Sequence, residues 1–98
     1  MSRERPLRFS IVIPTYNYAR FVGRAIDSAL AQPGDDFEVL VLDDGSTDDT
    51  PEAVRKYGDR IRYERHANRG AAATRNRGAE LALGEFLWFL DADDRLLP

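Results

Sequence analysis

Apolar residues are arranged along this chain in two rhythms: short unbroken runs, and longer stretches where they recur every three or four positions. The runs lie at 8–13 (Phe9, Ile11, Val12, Ile13), at 37–42 and at Phe86-Leu87-Trp88-Phe89-Leu90. They are too short for ordinary helices and too uniformly apolar for a sheet with one wet face, so they predict strands buried on both sides. Pro14 has no N–H to give to a ladder and is expected to end the first of them. After it, Tyr18, Phe21, Val22, Ala25, Ile26, Ala29 and Leu30 fall at i, i+3, i+4, i+7, i+8, i+11 and i+12, the spacing of an amphipathic helix. Asn17 is its expected N-cap and Pro33-Gly34 its stop.

The second half continues the alternation. Thr50-Pro51 reads as a hydroxyl cap with proline at the first helical position, opening a helix that carries Ala53, Val54 and Tyr57 and stops at Gly58. Arg60, Ile61, Arg62, Tyr63 and Glu64 alternate as in a half-exposed edge strand whose charges discourage edge-to-edge pairing. Asn68-Arg69-Gly70 is a loop, and residues 71–83 are a third helix, alanine-rich enough to pack closely on a sheet, ended by Gly84. The order β-α-β-α-β-α-β, without internal repeat, predicts a three-layer α/β/α fold with a mostly parallel sheet. Residues 1–8 form a basic lead-in and 9–98 the folded part. Ligands of such sheets sit beyond the carboxyl ends of the strands, and the loops 14–17, 43–47 and 91–94 all follow strand ends.

Composition narrows this picture. Ninety-eight residues make one small domain, and a net charge of −3 offers no basic field for nucleic acid. Lys56 is the only lysine; the arginine bias suits phosphate or carboxylate but equally a compositional habit. The absence of cysteine removes disulfides and thiolate metal sites and leaves the compartment open. Residues 1–8 lack the apolar core of a signal peptide, and no apolar run reaches the length of a membrane span. The chain stops shortly after its last acidic cluster, as expected of a fragment.

That cluster, Asp91, Asp93 and Asp94 around Ala92, brings in chemistry. Carboxylates held at a sheet rim repel one another unless a divalent cation, or the phosphates it carries, offsets them; the plain alternative is a solvated acidic turn. Several other templates fail. Pro-Thr-Tyr-Asn stands where a dinucleotide site needs G-x-G-x-x-G, and there is no G-x-x-x-x-G-K-[ST]. There is no G-x-S-x-G, and His66, the single histidine, has no serine or cysteine partner in view.

Four blocks together resemble one family: residues 10–17 (Ser-Ile-Val-Ile-Pro-Thr-Tyr-Asn), residues 41–48 (Val-Leu-Asp-Asp-Gly-Ser-Thr-Asp), Asn68-Arg69-Gly70 with Thr74-Arg75-Asn76, and Asp91-Ala92-Asp93-Asp94. They are similar to the nucleotide-sugar-binding N-terminal half of a family 2 glycosyltransferase with the GT-A, Rossmann-like fold, over residues 9–98. The resemblance implies transfer of a sugar, with inversion, from a nucleotide-diphosphate donor, a UDP-sugar first, to a glycan, lipid or protein acceptor, with Mg²⁺ or Mn²⁺, in cell-wall or polysaccharide synthesis. It implies that Pro14, Thr15 and Tyr16 flank the nucleotide base and that Asp44 accepts from a ring N–H of the base. It also implies that Arg75 lies near the diphosphate or the acidic loop, and that Asp91, Ala92 and Asp93 form the Asp-x-Asp element. In that element Asp93 binds the metal, while Asp91 faces the ribose or assists the metal.

For Tyr16 the alternative is packing ahead of the helix; for the Asp43-Asp44 pair it is a turn, which suits Asp43 better. Arg69 and Arg77 read as solvated charges, and Asp94 as a cap. No residue matches the family's general base, which is expected beyond Pro98, so this chain alone is expected to bind donor without turning it over. The expected location is the cytoplasm, with a membrane surface left open for a longer protein; a homodimer is likewise left open. Two rivals remain. A haloacid dehalogenase-like phosphotransferase would place its paired aspartates after the first strand, not the second. A receiver-like signalling module would need the same placement, and a lysine after a late strand.

Overall fold

In the computed structural model, which describes residues 7–93, the elements are β1 (Phe9–Thr15), α1 (Ala19–Leu30), β2 (Phe37–Asp43), α2 (Thr50–Arg55), β3 (Arg62–Arg65), α3 (Ala71–Leu81) and β4 (Phe86–Phe89), with a 3₁₀ turn at Gly58–Arg60. The four strands pair entirely in parallel in the order β3-β2-β1-β4. This is the α/β layer fold expected. Ile11, Ile13, Val39 and Val41 face α1 and α2 on one side, packed on Val22, Ala25, Ile26 and Val54. Val12, Leu40 and Leu42 face the opposite side, with Leu81 of α3 against them. Each fully buried aliphatic side chain contributes about 2 kcal/mol by leaving water. Close packing of α3 depends on Gly78, where a Cβ would fall 2.6 Å from Val12 Cγ1.

Several details depart from the sequence reading. Pro14 does not end β1; it pairs opposite Leu42 inside the strand. Its neighbour β4 pairs only with Phe9 to Val12, so the N–H that proline lacks points where no ladder remains. Asn17 does not cap α1. It sits at φ +57°, a left-handed conformation asparagine tolerates, and its Oδ1 accepts from the Thr47 N–H at 2.7 Å. The α1 entrance is served instead by Asp48 Oδ2, which accepts from the Ala19 N–H at 3.1 Å. Thr50 is not a cap either: its hydroxyl donates to Asp48 Oδ1.

Leu7 and Arg8, at the end of the basic lead-in, contact the sheet. Leu7 is buried, Arg8 N–H donates to Asp36 O, and Glu85 and Phe86 donate their N–H groups to Leu7 O and Arg8 O. The largest departure is β4, expected to be buried on both faces. It is an edge strand whose four residues are 40–50% exposed. An unbroken apolar run reports that a strand suits being covered; it does not supply the cover, and no described residue lies beyond this edge.

Candidate functional site

The carboxyl ends of β1, β2 and β4 open on one cavity of about 490 Å³. Pro14, Thr15, Tyr16 and Tyr18 line it from the end of β1, and Asp44 from the end of β2. Asn68, Gly70, Ala71, Thr74 and Arg75 line it from the entrance and first turns of α3, and Asp91, Ala92 and Asp93 from beyond β4. All eight residues that the resemblance pointed to, Pro14, Thr15, Tyr16, Asp44, Arg75, Asp91, Ala92 and Asp93, therefore surround a single space. Asp94 lies outside the described residues.

The β2 end is a fixed polar turn. Asp43 is fully buried; its Oδ1 accepts from the Ser46 N–H at 2.8 Å, and its other oxygen takes the Tyr63 hydroxyl, with Arg65 Nε at 3.8 Å. Burial, then the bond to Asp43, pushes the Tyr63 phenol well above its ordinary value. Asn17 clamps the turn to β1: its N–H donates to Ser46 Oγ at 2.9 Å while its side chain holds Thr47. Asp43 is thus the turn residue the sequence suggested.

Asp44 is anchored from the other direction. Its Oδ1 accepts from the Arg69 N–H at 2.8 Å and meets His66 Nε2 at 3.0 Å; its Oδ2 accepts from the Gly70 N–H at 3.0 Å and Asn68 Nδ2 at 3.3 Å. Burial alone would raise this carboxyl; the Arg69 and Gly70 amides, with Thr74 and His66, outweigh it and hold the group below the usual carboxylate range. A carboxylate offers about four lone-pair positions, so a ring N–H from a base would have to share an oxygen already in use. The approach of the two loops requires Gly45, at φ +73°, where a Cβ would fall 2.7 Å from Asn68 N.

The opposite wall is looser. Asp91 Oδ1 meets Arg75 Nη2 at 3.2 Å, with the side chains 56 and 47% exposed. Ala92 is buried in the core, and Asp93 is exposed. Among the described residues no group of three or more His, Cys, Asp or Glu side chains is placed to hold a metal. Two exposed carboxylates do match what Mg²⁺ takes from a protein when phosphates and water complete its shell. The donor set fits an ion that arrives with a diphosphate.

Tyr18 and Ala71 join the wall without having been singled out, and Asn68, Gly70 and Thr74, which stand in the resemblance blocks, join it without an assigned role. Tyr18 fits the helical period, yet it lies 41% exposed before α1, edge-on to Phe21 at 6.3 Å. Its position two residues after Tyr16, beside a sheet rim, was the available signal. Thr15 carries the one buried side-chain oxygen without a partner among the described residues, its Oγ1. No helix among the described residues is long and apolar enough to cross a membrane.

Residues 10–98 match the family described as Glycosyl transferase family 2. An uncharacterized glycosyltransferase of Rickettsia felis is 45% identical over 89 residues, which cover 89% of this chain and 15% of that protein. The crystal structure of S. aureus TarS in complex with UDP-GlcNAc superposes with a TM-score of 0.82 at 35% identity, covering 91% of this chain and 27% of that one. The mannosyltransferase PcManGT of Pyrobaculum calidifontis, in complex with GDP-Man and Mn²⁺, gives 0.80 at 31% identity, covering 97% and 30%. The chain thus spans less than a third of the length of each of these relatives.

Proposed function

This chain belongs to glycosyl transferase family 2, with a GT-A fold, and on that premise we propose that its cavity binds a nucleotide-diphosphate sugar together with Mg²⁺ or Mn²⁺. The observation that carries the proposal is the meeting of three strand-end loops and the start of α3 around one space. Tyr16 and Tyr18 offer aromatic surface for a base. Uracil is proposed first, because TarS, which is seen in complex with UDP-GlcNAc, is 35% identical over the matched 91% of this chain. Asp44 belongs to the base end, as a wall whose carboxylate fixes the 66–70 turn.

The diphosphate end is assigned to Arg75, to the N-terminus of α3 with its partial positive charge, and to Asp93 and Asp91 through the ion. The chemistry such an ion supplies is neutralisation of charge on the departing diphosphate. Arg75 meets Asp91 at 3.2 Å; a diphosphate would compete for that guanidinium, and Asp91 with Asp93 would then hold the ion. No described residue is proposed as the base that deprotonates the acceptor. Donor binding without turnover by this chain alone, a glycan, lipid or protein acceptor, and a role in polysaccharide synthesis are part of the same reading.

UDP with Mn²⁺ is expected to raise the melting temperature, because a ligand held only by the folded state stabilises it. The shift should vanish in Asp93→Ala; an undiminished shift in that variant would remove the metal assignment. GDP in place of UDP tests the base. A receiver-like module would respond to beryllofluoride and ignore both nucleotides.

A further inference from the structure

His66 stands where three elements meet. Its backbone N–H donates to Asp43 O at 3.1 Å, which fixes the residue to the end of β2. Its side chain is 12% exposed, with Nε2 at 3.0 Å from Asp44 Oδ1 and 3.2 Å from Thr74 Oγ1 in the first turn of α3. An ionised carboxylate only accepts, so Nε2 carries a proton and donates it. Thr74 Oγ1 in turn donates to Gly70 O at 2.9 Å. The same Asp44 carboxylate receives the Arg69 and Gly70 amides. The imidazole is thus one of the donors on the carboxylate that also receives the amides at the entrance to α3, five residues before Arg75.

We propose that His66 is a positioning residue: its Nε2–H fixes the Asp44 carboxylate and, through it, holds the 66–70 turn and the start of α3 in the ligand-ready arrangement before any ligand arrives. The ligand consequence rests on the nucleotide-binding reading; the ordering of the turn does not. Glutamine can bring an N–H near the place of Nε2, whereas leucine has comparable bulk and no donor.

The experiment compares wild type, His66→Gln and His66→Leu in two measurements. Hydrogen exchange of the Arg69 and Gly70 amides in the free protein should lose about tenfold protection in the leucine variant, the scale of one charge-assisted hydrogen bond, and keep it in the glutamine variant. Affinity for UDP with Mn²⁺ should follow the same order. Wild-type protection in the leucine variant, or equal loss in both, overturns the inference. If the wild type binds no UDP, the nucleotide reading fails and exchange alone decides the role of His66. Should the leucine variant not fold, the wild-type ring decides: ¹⁵N spectra of the sole histidine must show a proton on Nε2, and a proton on Nδ1 alone overturns it.

Discussion

The Asp43-Asp44 pair and the Asp91–Asp93 pair share one rim, yet the fold treats them in opposite ways. Asp43 and Asp44 are 0 and 6% exposed, and their oxygens are taken by amides and side chains from β3, the turn that follows it and Ser46. Asp91 and Asp93 are exposed, and Asp91 is met by a half-exposed arginine. The oxygens of the first pair are committed to the protein's own donors; the second pair lines the cavity with carboxylates left exposed. A carboxylate at a sheet rim is thus not by itself a ligand group, and what distinguishes the two cases is how many protein donors already reach it.

Removing one member of each pair should break this contrast most visibly. Asp44→Ala strands buried amide donors and is expected to cost about 3 kcal/mol of unfolding free energy in urea. Asp93→Ala should change the free protein by no more than about 0.5 kcal/mol. Comparable losses would mean the two walls are equally structural.

Acid should act on the carboxylates that protein donors already hold. Asp44 and Asp48 are held below the usual carboxylate range by the donors that outweigh their burial, and so is Glu38, which accepts from Ser10, Arg62 and the Leu83 N–H. Between the lowered folded values and unfolded values of about 4, the unfolded chain binds more protons. Stability therefore rises with pH through that window and is lost as pH falls through the folded values. The melting temperature is expected to be flat above about pH 5.5 and to drop by roughly 5 °C or more towards pH 3, less steeply in Glu38→Gln.

Thr15→Val removes the buried hydroxyl that has no protein partner and should raise the stability of the free protein by about 1 kcal/mol. If that hydroxyl serves a ligand, the same variant loses UDP affinity. The smallest effect is expected at the half-exposed pair: Arg75→Ala should cost less than about 0.5 kcal/mol without ligand, with its larger effect confined to diphosphate binding.

The strand runs and helical periods that place the three loops on one rim are visible in the sequence because burial selects residue type. What joins the loops is not. Asn17 binds Thr47 and Asp48 caps α1 across about thirty positions, and no local pattern announces a partner that far away. The anchoring of Asp44 is carried largely by backbone amides, which every residue type supplies alike. The exposure of Phe86, Leu87, Trp88 and Phe89 was illegible for another reason: strand order, not composition, puts β4 at an edge.

The central claim is that an exposed carboxylate wall and a preformed wall act on one ligand, a cation joined to a diphosphate. Calorimetric titration of Mn²⁺ into the chain, without and with saturating UDP, tests it directly. Weak Mn²⁺ binding alone, tightened about tenfold or more by UDP, with UDP tightened by the same factor in the presence of Mn²⁺, is the expected result. UDP binding of equal strength in Mn²⁺ and in a chelator would contradict it.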